Sequence, residues 1–299
     1  MNAHQLDLFL DSHDVTLAND VVAALCAHDH ERTAQGIARL RAEAPARADL
    51  PTFDSLYAFL DLTREIDTAG LDADALELIV EVLNTRMIPA AAVLGKAAKG
   101  FLESFWRQLA RAAIHPFNPD RPHLHAADLF LRAGAYEAAE EAAKTITGGQ
   151  TQRAVLRWQA IARYRLAGLP GARRQIFSLA WHAADSFEDL LRELDDALLK
   201  QDWLAFQAAV EDTDASWFPA WYLLRYPESA AAIDADLAPG SAPTAASIPA
   251  LQACLRLIRI LDLEKQGHSR ALIKQRARLQ ALDAGFFAVY MRARDVQHR

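Results

Sequence analysis

The side chains able to do chemistry are scattered along the chain. A His-Asp pair occurs in HDHE, residues 28–31, and again at His13-Asp14. Such a pair can hold a divalent metal and activate water only when neighbouring helices bring further ligands. His123 and His125 stand two apart in HPFNPDRPHLH, residues 115–125. That spacing places them on one face of an extended strand but on different faces of a helix. No acid or thiol stands beside them at a metal-ligand spacing, so they are expected as solvated or capping histidines in a loop. Asp195-Asp196, Asp212/Asp214 and Asp234/Asp236 are carboxylate pairs of the kind general acid–base chemistry uses. In an acidic chain they are expected to be solvated or to cap helices. Cys26 and Cys254 are the only cysteines, each in an apolar stretch, and read as buried free thiols. There is no GxxxxGK[ST] phosphate loop, no GxGxxG after a strand, no HExxH and no GxSxG. The expectation is therefore a protein that is not an enzyme, with no cofactor and no metal.

Bulk properties set the frame for these residues. The chain has 299 residues, enough for a sizeable core, and its hydrophobic share of 52% owes much to alanine. Alanine loses no side-chain entropy in a helix, so the composition favours helices. A net charge of −7 argues against general nucleic-acid binding. The charge is uneven, however. From Pro249 onward there are ten Lys or Arg against four Asp or Glu, a net of +6, which leaves −13 for the rest. Arg270, Lys274 and Arg278 stand at i, i+4 and i+8, on one helix face. That face reads as a solvated complement to the acidic body. It is also the one place where contact with nucleic acid is expected. No charge-free apolar run reaches the roughly 18 residues that a membrane span needs. Asp7, Asp11 and Asp14 stand where an export signal would be basic. A cytoplasmic location without membrane contact is expected.

Helical periodicity runs through the chain. Asn19 and Asp20 read as a cap ahead of Val21, Val22, Leu25 and Cys26. Ile37, Leu40 and Arg41 belong to a second helix that stops near Pro45. Phe53, Leu56, Tyr57 and Leu60 form one stripe. Asp72 caps a helix with Leu76, Ile79, Val80 and Leu83 inward, and a single longer helix runs from about Ile88 to near His115. Pro116, Pro119 and Pro122 then forbid helix. Trp217, Phe218, Trp221, Tyr222 and Tyr226 crowd residues 216–229, a core cluster or, in the competing reading, a ligand pocket. A Pro, Gly, Ser and Ala-rich stretch at 234–249 reads as a flexible connector. After it comes a basic helical hairpin turning at Gly267, then a last helix around Phe286, Phe287, Tyr290 and Met291.

Part of the chain superposes on itself at a fixed offset. Ala126 meets Ala160, Phe130 meets Tyr164, Ala133-Gly134 meets Ala167-Gly168, and Ala138 meets Ala172. The same offset applied again puts Asp202 at the glycine and Phe206 at the alanine. The first unit carries Ala126, Leu129, Gly134, Tyr136 and Ala138. The second keeps Ala160, Gly168 and Ala172 but has Leu169-Pro170 near the tyrosine position, and the third is degenerate. With a period of about 34 residues and an Ala-Gly turn between paired helices, the pattern resembles the tetratricopeptide repeat. The resemblance spans positions 123 to 210 or so. It implies an all-α fold of stacked helical hairpins, an irregular tetratricopeptide-like solenoid. The expected organisation is a peptide segment at 1–18, a helical region at 19–115, repeats at 123–233, a connector at 234–249 and a basic hairpin at 250–299.

Gln5-Leu6-Asp7-Leu8-Phe9 concentrates apolar side chains in a short polar context. At all five positions it resembles the peptide motif by which proteins bind the bacterial sliding clamp, the ring-shaped processivity factor of DNA replication. By that resemblance Gln5 hydrogen-bonds in a small polar subsite, Leu8 and Phe9 fill an apolar pocket, Leu6 packs at its rim, and Asp7 holds the serine-or-aspartate position. The expectation is an adaptor that binds a protein partner, the sliding clamp foremost. The alternatives are a structural or regulatory scaffold in which residues 5–9 pack on their own domain, or an enzyme or small-molecule binder built on the His-rich loop and the aromatic segment.

Overall fold

The computed structural model describes residues 13–65, 71–210, 213–237 and 248–297. Residues 5–9 and most of the 234–249 connector lie outside these. The described residues form helices joined by short turns, with no strand among them. The fold is all-α, and neighbouring helices pack in sequence order as hairpins. The chain divides into two compact units, Met1–Ala139 and Glu140–Arg299.

The first unit begins with α1 (His13–Cys26), α2 (His30–Glu43) and α3 (Leu50–Glu65). Asn19 and Asp20 are not a cap: they lie exposed in the middle of α1. The helix starts earlier and buries Leu17, Ala18, Val21, Ala24 and Leu25, so Asn19 and Asp20 fill its solvent face. The α1–α2 turn uses His28 in a left-handed conformation, φ 53°. Asp29 then caps α2 by accepting from the Arg32 N–H at 3.0 Å. α2 ends just before Pro45, with Ile37 and Leu40 buried. Phe53, Leu56 and Leu60 are buried in α3, as their spacing requires.

α4 (Ala73–Val82) is capped by Asp72, whose side chain accepts from the Ala75 N–H at 2.7 Å. Leu76 and Val80 face the core, and Leu83 joins them from a π-helical turn, Leu83–Met87. The single helix expected from Ile88 to His115 is three pieces: α5 (Ile88–Ala91), a 3-10 segment (Ala92–Ala97) and α6 (Ala98–Ala112). Gly95 causes the break. Its φ of 56° and ψ of −127° lie outside the right-handed helical region. Taken end to end, 73–112 is long and apolar enough to cross a membrane. It is nevertheless jointed at Gly95, and it sends Leu83, Leu94, Phe101 and Phe105 into the core of its own unit. After the proline-rich break, a short 3-10 turn (Pro122–Leu124) leads into α7 (Ala126–Arg132), which packs on α6.

α8 (Tyr136–Lys144) crosses the division. In the second unit, α9 (Arg153–His182) is two helices joined at Gly168, φ 65° and ψ −169°. There follow α10 (Phe187–Leu194), α11 (Ala197–Ala209), α12 (Phe218–Arg225) and α13 (Ala230–Asp236). Then come α14 (Pro249–Gln266), α15 (Arg270–Leu282) and α16 (Ala284–Gln297). α12 is central, packing on α9, α11, α14 and α16. Its Phe218, Trp221, Leu223 and Leu224 are buried.

Gly134 and Gly168, one repeat period apart, both hold a left-handed turn between two helices, with φ of 64° and 65°. The third register fails. Asp202 does not sit at a turn; it lies buried within α11, held by Arg225 Nε at 2.8 Å and the Tyr226 hydroxyl at 3.0 Å. The turn falls earlier, at Asp195, with φ 54° and ψ 35°. Aspartate tolerates the left-handed region better than most residues, which lets it replace the glycine there. In the C-terminal segment Gly267 turns the hairpin as expected, at φ 98°, and α16 adds a third helix.

Candidate functional site

Gln5, Leu6, Asp7, Leu8 and Phe9 lie outside the described residues. The basic face lies within them. α15 reads RALIKQRARLQAL, a stretch without an acid. Arg270, Lys274 and Arg278 are exposed on it, and none makes an ion pair with a described residue. At about 1.5 Å of rise per residue, successive cations sit about 6 Å apart along the helix.

Two of the acids nearby in sequence, Glu264 and Asp283, are occupied elsewhere. Glu264 of α14 accepts from Arg276 Nη2 at 2.8 Å and from the Tyr290 hydroxyl at 2.5 Å, and it pairs with Arg294 Nε at 3.3 Å. Arg276 Nε also donates to the Tyr290 oxygen at 2.7 Å. Burial, then the bond to Glu264, pushes the Tyr290 hydroxyl up to about 12. This network ties α14, α15 and α16 together. Asp283 caps α16 by accepting from the Phe286 N–H at 2.7 Å. No described acid of this segment forms an ion pair with Arg270, Lys274 or Arg278.

The histidines of the 115–125 loop and His28 make structural contacts. His125 caps α7, its Nδ1 accepting from the Ala127 N–H at 3.1 Å, and burial pushes its pKa down. His123 lies 3.5 Å from Glu77, and His115 Nε2 bonds the Leu71 carbonyl oxygen at 3.0 Å. His28 packs on Phe101 and Phe105 and bonds Ser104 at 2.8 Å, and burial lowers its pKa as well. No group of three metal-ligating side chains occurs among the described residues.

Of the paired aspartates described, Asp195, Asp196, Asp214 and Asp236 make structural contacts, while Asp234 is exposed. Asp196 caps α11 and accepts from the Tyr164 hydroxyl at 2.6 Å, which pushes that hydroxyl up to about 12. Burial pushes the Asp196 carboxyl up, but the Tyr164 hydroxyl and the backbone N–H groups of Leu199 and Leu198 hold it below its ordinary value. Asp195 pairs with Lys200, Asp214 caps a 3-10 turn, and Asp236 meets Arg173 at 3.0 Å. Asp212 lies outside the described residues. Of the aromatic segment, Phe218 and Trp221 are core, while Trp217, Tyr222 and Tyr226 are half-buried around them. Cys254 is fully buried and burial raises its thiol pKa, whereas Cys26 is only half-buried.

One arrangement is invisible in the sequence. The last turn of α8, the 146–151 loop and both halves of α9 line a half-open cavity of about 740 Å³. Lys144, Arg163 and Arg174 line it, with Glu140 as its only acid. Glu140 is buried and pairs at 2.9 Å with both Lys144 Nζ and Arg163 Nε. His182 also lines the cavity, and burial lowers its pKa, which favours the neutral imidazole at neutral pH. Nothing in the sequence separates Glu140 from Glu137 or Glu141, since its burial depends on which face of α8 is covered.

No protein-family model, curated protein or solved structure matches the chain.

Proposed function

We propose that this chain is a non-enzymatic helical-repeat adaptor that binds a protein partner, the bacterial replication sliding clamp, through Gln5, Leu6, Asp7, Leu8 and Phe9. The observation that carries the reading is the match of all five residues to the clamp-binding pattern. The tetratricopeptide-like assignment of residues 123–210 belongs to the same proposal. Its support is the pair of left-handed glycine turns, Gly134 and Gly168, one repeat period apart. A cytoplasmic location goes with such a partner.

Burying Leu8 and Phe9 supplies roughly 1.5–3 kcal/mol each. Ordering the peptide backbone costs about 1–2 kcal/mol per residue. Leu6 and the Gln5 hydrogen bond add to the two anchors. With that ordering cost set against these anchors, weak binding is expected, in the micromolar range and not the nanomolar. The test is titration of purified clamp against the full chain and a Gln5→Ala, Phe9→Ala variant at physiological salt. The expected result is micromolar binding that the variant loses. If the parent does not bind and the variant melts lower, residues 5–9 are a staple on their own domain and the chain is a scaffold.

Arg270, Lys274 and Arg278 supply a second contact, to DNA phosphates, in this reading. Two weak attachments on one chain raise the overall avidity without new contacts at either. Three phosphate contacts give a log–log salt slope of about −2.7. Reversing the three charges to Glu is expected to abolish duplex DNA binding and leave clamp binding in place. Duplex binding unaffected by the reversal removes this face from the proposal.

A further inference from the structure

We infer that the cavity between α8, the 146–151 loop and α9 binds a small hydroxylated phosphomonoester, such as a sugar phosphate. The inference is independent of residues 5–9. It begins from size: about 740 Å³ falls within the range of small-molecule sites, roughly 300–1,000 Å³.

Charge comes next. Three cations line the cavity against Glu140 in the lining and Glu141 beside it, which pairs with Lys144 at 2.7 Å, so one positive charge is left in excess and the cavity favours an anion such as a phosphomonoester. The heads of Lys144 and Arg163 are held in place before any ligand arrives, because buried Glu140 pairs with both at 2.9 Å. Preorganisation of this kind removes an ordering cost that free surface cations would incur. Arg163 faces Glu140 with its Nε at 2.9 Å, which directs its terminal amino groups away from that contact. That leaves the planar fork that suits phosphate oxygens. Arg174 lines the cavity and is exposed.

The remaining lining calls for more than a bare anion. The Gln175 side-chain oxygen is buried and has no hydrogen-bond partner among the described residues. A buried acceptor left unmatched is destabilising, so the site favours a ligand that brings a donor. Inorganic phosphate at neutral pH brings few; the hydroxyls of a sugar bring several. Gln159 and Ser178 extend the same polar wall and can bond further hydroxyls.

The experiment is calorimetric titration of the full chain with glucose 6-phosphate, inorganic phosphate, glucose and malate. Glucose 6-phosphate is expected to bind with Kd on the order of 0.1–1 mM, with inorganic phosphate about tenfold weaker and glucose silent. Arg174→Gln is expected to weaken glucose 6-phosphate about tenfold without moving Tm, since its side chain is exposed. Gln175→Leu is expected to weaken glucose 6-phosphate but not inorganic phosphate. The Gln5→Ala, Phe9→Ala variant is expected to bind as the parent does, which separates this site from the clamp reading. Absence of binding by the folded parent, tighter binding of malate, or full affinity in Arg174→Gln each overturns the inference.

Discussion

The Phe218→Ala variant is expected to lose about 3–5 kcal/mol of stability. Phe218 is wholly buried at the start of α12. Its ring lies 5.2 Å from Phe187, 5.8 Å from both Trp203 and Phe206, 5.9 Å from Trp221, 6.1 Å from Tyr222 and 6.3 Å from Phe177. Those rings come from α9, α10, α11 and α12, so one truncation opens a void shared by four helices. Several pairs are edge-on, at 80° to Phe177 and 87° to Phe206, a geometry that adds about 0.5–1.5 kcal/mol per pair beyond area burial. Urea denaturation followed by tryptophan fluorescence reads the effect cleanly, because five of the six tryptophans lie in the second unit. The midpoint should fall with the slope unchanged. Trp217→Ala removes a half-buried ring and should shift the midpoint less. A Phe218→Ala loss below about 1 kcal/mol would mean the cluster is loosely packed, and would return the segment to the ligand-pocket reading.

The parts of this fold legible in the sequence are those fixed by local chemistry. Asp72 caps α4 because a carboxylate just before an apolar run meets free N–H groups wherever the helix packs. Phe53, Leu56 and Leu60 share a face because about 3.6 residues make a turn. What failed depends on the surroundings. Asn19 and Asp20 have cap chemistry, but Leu17 and Ala18 before them also find a core, so the helix runs through. Gly95 sits in an alanine-rich run where a helix would tolerate it, and only the geometry of its unit bends the chain there. Gly134 and Gly168 both turn the chain, and the next turn comes at Asp195, because aspartate can turn a hairpin where no glycine marks it.

The same division holds for the sites. Arg270, Lys274 and Arg278 were legible because i, i+4 and i+8 share a face on any helix. That no described acid of its segment pairs with the row was not legible. Glu264 is drawn instead into a network with Arg276, Tyr290 and Arg294, whose members come from three helices. The cavity at α8 and α9 was wholly hidden, since Glu140, Arg163 and Gln175 meet only after α9 folds back at Gly168.

That fold-back makes the second strong prediction. Gly171→Ala is expected to destabilise the protein by about 1–3 kcal/mol, although it places a better helix former on an exposed position. A Cβ at 171 would overlap the Cβ of Ala167, closer than any real contact. The crowding arises because Gly168 turns the chain with φ 65° and ψ −169°, a conformation reserved almost entirely for glycine, and so presses 171 against 167. Propensity alone would give the opposite sign, so the direction of the change decides between a tight turn and a soft one. The Ala167→Gly, Gly171→Ala double variant removes the clash and should recover most of the loss, leaving about 0.5–1 kcal/mol for the new glycine. A positive coupling in that cycle, read from thermal and urea midpoints, identifies the contact itself as the cause. Additive losses would instead place the strain elsewhere in the turn. The same loss should loosen the cavity that both halves of α9 line, so Gly171→Ala is also expected to weaken glucose 6-phosphate binding, and the double variant to restore it.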